Sequence, residues 1–255
     1  MEYLLEAKTE GDFLKTPLFI LVAVMGIGFL QAQTTVTVDE DNADWGFLDE
    51  TVPGPGTVTA EFVMGPATPP GGTGSAHLVL GANTDGVLLG TQNHAGLPLA
   101  DILTLSYATY QNMTPQAIAL QFNVDYDNTD GSVAWQGRLV FEPLTIGPVQ
   151  TGTWQTWDAL AGRWWSSGTP IVGDVPAAAT CTQGSPCTWA QVLMNYPNIA
   201  NHSGALAGIL VKAGSGWPAG WDGNVDRLHI ETAGFNTIYD FETNVPVELQ
   251  SFGIE

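Results

Sequence analysis

The sequence predicts an all-β fold, a two-sheet antiparallel β-sandwich of the jelly-roll type with one short helix in an insertion. Three observations predict it. The 255 residues include 30 Gly, 16 Pro and 9 Trp but only 13% charged residues, a composition of strands joined by many turns rather than of amphipathic helices. From Ile118 to Asp127 the chain alternates, with Ile118, Leu120, Phe122, Val124 and Tyr126 on one side and Ala119, Gln121, Asn123, Asp125 and Asp127 on the other, the period of a half-buried strand. Similar short runs recur between turn-forming residues often enough to fill two sheets.

The elements follow in chain order. Residues 1–32 read as an export signal, because Leu18 to Leu30 is a run of thirteen apolar residues followed by Gln31-Ala32-Gln33, shorter than the roughly 20 residues a spanning helix needs. The stretch before it carries four acids and one base up to Phe13, unlike an ordinary signal, and a true start at Leu14 is the expectation that resolves this. The sandwich domain then occupies residues 33–243, and 244–255 form a tail. Strands are expected near 34–39, 57–63, 76–80, 86–91, 102–110, 118–127, 150–157, 205–212, 224–231 and 236–242. After the turn Asn128-Thr129-Asp130-Gly131, a partner strand is expected in which Trp135, Leu139 and Phe141 alternate with Gln136, Arg138 and Glu142. The helix is expected from about Pro186 to Tyr196, capped by Ser185, with Trp189, Val192, Leu193 and Tyr196 as its apolar stripe. The only two cysteines, Cys181 and Cys187, stand just before it. A local disulfide is the expected state in an oxidising compartment, since two thiols without a nearby histidine do not make a metal site.

Charge narrows the partners. Acids outnumber bases 26 to 6, and removing residues 1–32 leaves 22 against 4, the four being Arg138, Arg163, Lys212 and Arg227. Such an acidic protein repels phosphate backbones and anionic bilayers, so neither nucleic acid nor, after signal removal, a membrane is an expected partner.

Several segments, in their order, resemble the galactose-binding-like jelly roll of carbohydrate-binding modules in secreted bacterial glycan-degrading proteins. GTGSAHLVL looks like an early strand, ADILTLSYATY like the next, and ALQFNVDYD with WQGRLVFEP like the central hairpin. GTWQTWD and LAGILVKAGSGWPAGWDGNVDRLHI look like the later strands, the last carrying Asp226. The 160–200 insertion departs from that pattern. The segment Pro246-Val247-Glu248-Leu249, with Ser251-Phe252 after it, resembles the linker that precedes a type IX secretion sorting domain; read from its residues alone, Val245, Val247 and Leu249 alternate as a last edge strand would.

The polar side of the central hairpin gathers Gln121, Asn123, Asp125, Gln136 and Arg138, planar hydrogen-bonding groups suited to sugar hydroxyls. Its other reading is a solvated sheet on which Arg138 pairs with Asp125. Trp154 and Trp157 are the leading candidates for the flat apolar platform a sugar site needs, with Trp164, Trp165, Trp217 and Trp221 also available, although a sandwich tryptophan is commonly a core residue. A structural calcium at the sandwich edge is an expectation from the same resemblance, with Asp39, Asp41 or Asp44 joining Asp226; calcium prefers six to eight oxygens. The acids Asp125, Asp127 and Asp130 do not form an EF-hand loop, because Gly131 comes one residue late and no Glu closes it.

No nucleophile elbow, zinc-protease helix, phosphate loop or dinucleotide fingerprint occurs, and no catalytic residue is assigned. The leading expectation is therefore a non-catalytic module, secreted or on the cell surface of a bacterium, that binds a glycan or cell-surface polysaccharide. A structural or adhesive surface protein is the alternative, and a glycan-active hydrolase or lyase the third reading.

Overall fold

The computed structural model describes residues 31–113 and 115–244. The export signal, the start at Leu14 and the edge strand or linker after Asn244 lie outside the described residues. The strands are β1 (Thr34–Val38), β2 (Trp45–Asp49), β3 (Val58–Met64), β4 (Gly74–Leu80) and β5 (Gly86–Thr91), then β6 (Thr104–Gln111), β7 (Ala119–Asp125), β8 (Arg138–Phe141), β9 (Gln155–Asp158) and β10 (Arg163–Ser166). The two-residue strands β11 (Ile171–Val172), β12 (Val175–Pro176), β13 (Cys187–Thr188) and β14 (Ala200–Asn201) accompany helix α1 (Trp189–Asn195), and β15 (Gly208–Gly214), β16 (Asp222–Glu231) and β17 (Asn236–Phe241) complete the domain.

They form the expected β-sandwich. One sheet has seven strands and is organised around β16, the longest. On one side β16 pairs with β6 along most of its length; on the other its first half pairs with β4 and its second with β17. This fork falls at Asp226 and Arg227, where the ladder shifts register and Arg227 takes a φ of 55°. The other sheet has eight strands and runs β13-β10-β8-β7-β15-β5-β2, with β14 also paired to β7. The alternation of β7 decides its two faces: Leu120, Phe122 and Val124 are fully buried against the seven-stranded sheet, and Gln121 and Asn123 point away. Leu78, Leu105, Tyr107 and Ile230 supply the opposing layer. Fully burying one such side chain is worth about 1.5–3 kcal/mol, so the two inner faces hold the sandwich together. Tyr107 meets its burial by donating its hydroxyl to the Ile118 carbonyl at 2.7 Å.

Three expected elements shift, the strand expected at 150–157 being regular only over Gln155–Asp158. The helix starts at Trp189, not Pro186, because Thr188 caps it and Gln191 reciprocates on the Thr188 backbone. That capping box satisfies two orphan N–H groups at once, while Cys187 and Thr188 extend along β10 as a strand. Trp189, Val192 and Tyr196 are buried as the apolar stripe requires. In the hairpin, regular pairing begins only at Arg138. Gly137 has a φ of 96°, a conformation that glycine alone adopts without strain, and this corner resets the side-chain phase. Trp135, expected in the core, is 50% exposed, whereas Gln136, expected on the wet face, is 1% exposed. The disulfide is present between Cys181 and Cys187, whose Cα atoms are 5.2 Å apart.

Candidate functional site

The outer face of the eight-stranded sheet carries a charged cluster at its centre. Arg138 on β8 donates both terminal guanidinium nitrogens to the Glu50 carboxylate just after β2, and Lys212 on β15 donates to the same carboxylate at 2.6 Å. The remaining guanidinium donors go to β7, with Nε 3.0 Å from Asn123 Oδ1 and Nη1 3.4 Å from Gln121 Oε1. All three ionic side chains are less than one-fifth exposed. Burial opposes the Glu50 charge, but the hydrogen bonds and charges of Arg138 and Lys212 outweigh it and hold its carboxyl down to about 2. Two of the four bases after residue 32 are thus spent on one carboxylate.

Three cavities surround this cluster, and Arg138 borders each of them. The largest, about 820 Å³, lies toward Thr51, Val52, Trp135 and Thr169. A second of about 540 Å³ runs over Leu48, Leu88 and Gly90 toward Gln92. A third of about 320 Å³ lies between Glu142, Trp165, Gln183 and Trp217. Trp135 forms one wall of the largest, with the Arg138 guanidinium 5.8 Å from its ring centre, a cation–π arrangement that steadies an otherwise exposed indole. Asn123 and Gln121 present their oxygens to Arg138, which leaves their amide N–H groups uncommitted.

The residues expected from the sequence divide accordingly. Gln121, Asn123 and Arg138 come together as anticipated. The carboxylate partner of Arg138 is Glu50, and Asp125 does not take that part. Asp125 is 5% exposed and accepts from Gln136 Nε2 at 3.1 Å, while Gln136 Oε1 accepts from the Tyr126 and Ile171 N–H groups. These two fasten the turn after β7 to the 171 segment; Gln136 borders the largest cavity although almost wholly buried, and Asp125 lines none of the three. Trp154 and Trp157 belong to the other sheet: Trp154 donates to the Pro66 carbonyl and packs on Tyr110, and Trp157 is buried with its N–H on Thr109. Trp164 and Trp221 are fully buried. The indoles that border the cavities are Trp135, Trp165 and Trp217, together with the mostly buried Trp45 at the second.

The acids named for calcium also separate. Asp39, Asp41 and Asp44 lie in the β1–β2 loop, where Asp39 accepts from the Asp41 N–H and Asp41 accepts from the Asn244 amide. Asp226 is fully buried at the β16 fork and accepts backbone N–H bonds from Gly71, Arg227 and Phe241. Its nearest acid is Asp240, and a side chain on Gly71 would overlap Asp240 Oδ1 and stand 3.2 Å from Asp226 Oδ2. Burial pushes the Asp226 carboxyl up to about 7, with Asp240 adding to the rise, and Asp240 is raised as well. Asp240 Oδ1 is buried without a hydrogen-bond partner. Among the described residues, no three His, Cys, Asp or Glu side chains are grouped as a metal site, and no helix is long and apolar enough to cross a membrane.

No protein-family description and no curated protein matches this sequence. Among solved structures the chain is similar to the family 11 carbohydrate-binding module from Clostridium thermocellum, in complex with a β-1,3-1,4-mixed-linked tetrasaccharide. The two are 12% identical, with a TM-score of 0.39, over 76% of this chain and 91% of that one. It is also similar to TmCBM61 in complex with β-1,4-galactotriose, at 12% identity and a TM-score of 0.32, over 74% of this chain and 89% of that one.

Proposed function

We propose that the protein is a non-catalytic glycan-binding module, exported by a bacterium to its surface or surroundings, which holds its ligand on the outer face of the eight-stranded sheet. The observation that carries this reading is the half-exposed Trp135 beside Arg138 at the largest cavity, with Asn123 and Gln121, both bonded to Arg138, lining the adjoining second and third cavities. A sugar ring offers an apolar face and a rim of hydroxyls. An indole plane stacks on the first, and the two uncommitted amides hydrogen-bond the second. The Glu50–Arg138–Lys212 cluster fixes those amides by occupying their oxygens, so they are set before a ligand arrives, which lowers the ordering cost of binding. The Cys181–Cys187 bridge suits an oxidising compartment.

A glycan array probed with the purified protein and with Trp135→Ala tests the reading. Binding by the parent to at least one glycan, weakened in the variant, is expected. A blank array for both proteins would overturn it and favour a structural or adhesive role.

For calcium, we infer that Asp226 and Asp240 fit better than the β1–β2 loop acids. Two carboxylates converge on Gly71, and one oxygen there is buried and unpartnered. Arg227 is the one protein charge that favours ionised Asp240, and a bound calcium would add the positive charge that two carboxylates need, a structural service with no part in catalysis.

A further inference from the structure

We propose that the third cavity takes the ammonium group of an amino sugar, with Glu142 as its counter-ion and Trp165 and Trp217 as its walls. This rests on the glycan-binding reading and deepens it by naming the class of glycan: one with free, protonated amino groups.

Arg138 spends its donors on Glu50, Asn123 and Gln121, and Lys212 turns to Glu50 at 2.6 Å. Glu142 is different. It follows β8 on the outward side, it lines the cavity of about 320 Å³, and among the described residues it makes no ion pair. Burial raises its carboxyl and no cation of the protein opposes the rise, while the indole N–H of Trp165 is buried without a hydrogen-bond partner. A half-buried carboxylate without a counter-ion is the group on this face that gains most from a cationic ligand.

The walls agree with a cation. Trp165 and Trp217 line the same cavity as Glu142, and indole faces attract an ammonium through the ring quadrupole; Arg138 and Lys212 also border it, but both are neutralised by Glu50. Trp217 is propped edge-on against the buried Trp221, ring centres 4.8 Å apart, so its plane is set by the core. Gln183, exposed on the disulfide-closed loop, completes the rim with an amide suited to a neighbouring hydroxyl. The volume is at the small end of ligand sites, which favours one sugar unit over a long stretch of chain. The whole protein supports the assignment at longer range, since 22 acids against 4 bases after residue 32 draw a cationic polymer toward the surface and repel an anionic one.

The experiment compares two tetrasaccharides that share backbone and linkage: β-1,4-linked glucosamine tetramer and cellotetraose, titrated calorimetrically into the intact protein where the amines are protonated. The amino tetramer is expected to bind about tenfold tighter or more, as a charge-assisted hydrogen bond implies, with the advantage shrinking in added salt. In Glu142→Gln, checked for an unchanged melting curve, the ratio between the two sugars should collapse toward one. The N-acetylated tetramer, which cannot carry the charge, should lose the advantage in the parent protein. Equal affinities, or a preference that survives Glu142→Gln, would overturn the proposal. Cellotetraose binding alone would remove the amino-sugar assignment and leave the glycan-binding reading standing. Silence from both tetramers together with a blank glycan array would remove both.

Discussion

Two carboxylates drawn from solvent, Glu50 partly buried just after β2 and Asp226 fully buried in β16, meet opposite fates. Glu50 is gripped by Arg138 and Lys212 and is held down to about 2, whereas Asp226, with another acid and no cation against it, is pushed up to about 7. Both lose water on burial. The sign of the neighbouring charge decides the outcome, and the contrast separates a finished ionic cluster from one that a bound cation would finish. An acid-rich chain with few bases cannot neutralise every buried carboxylate from its own sequence, and here it does so at the groove and leaves the fork unpaired.

Breaking the finished cluster should have the largest effect. Glu50→Ala leaves two partly buried cations facing each other, and equilibrium denaturation is expected to show a loss of about 3–5 kcal/mol. A loss under about 1 kcal/mol would place the cluster effectively in solvent. Arg138→Ala should cost less than Glu50→Ala, because Lys212 still answers the carboxylate. It is therefore a poor probe of binding, since stability changes along with the site.

Next in size is the corner between the two regimes of the hairpin. Gly137→Ala would force a side chain into a φ of 96°, with its Cβ 2.6 Å from Gly168 Cα. We expect a loss of roughly 1–3 kcal/mol, read as a lower denaturation midpoint at unchanged slope.

The same comparison has a signature in pH. The folded-state pKa of Glu50 lies below its unfolded value, so its contribution to stability is complete above about 4.5 and fades as pH falls from there toward about 2. A pH series of melting temperatures in the parent should decline over that window, and the decline should be shallower in Glu50→Gln. At the fork, a chelator should lower the melting temperature if calcium completes the carboxylate pair, because an ion bound only by the folded state stabilises it. An unchanged melt in metal-free protein would dismiss the ion.

Trp135→Ala should be the mildest change to the fold, about 0.5 kcal/mol for a half-exposed residue, while removing the proposed platform. Lost glycan binding with an unaltered melt is the expected pairing.

How far these features could be read from the sequence depended on their range. The alternation of β7 placed Gln121 and Asn123 on the outward face because period-2 patterning is local, and the strands expected at 34–39 and 86–91 match β1 and β5 closely for the same reason. The pattern failed at Trp135 and Gln136, where one left-handed glycine resets the phase, and a Gly between two apparent strand residues was the available signal. Glu50 stayed hidden because its partners are 88 and 162 residues away, and strand β2, which delivers it, was not anticipated. The rarity of bases did mark Arg138 and Lys212 as residues to follow. Trp154 and Trp157 show the limit of composition: aromatic content points to platforms, but only topology assigns each ring to a sheet.

The first strand of the domain pairs in parallel with the last, Thr34–Val38 against Thr237–Phe241, and β16 and β17 fill the middle of their sheet. A nascent chain consequently cannot close this sandwich until some 200 residues beyond β1 have left the ribosome, and a growing chain stays threadable for nearly the whole of its synthesis. If the proposed export holds, the order of the strands acts as a timer that keeps the chain unfolded for the passage.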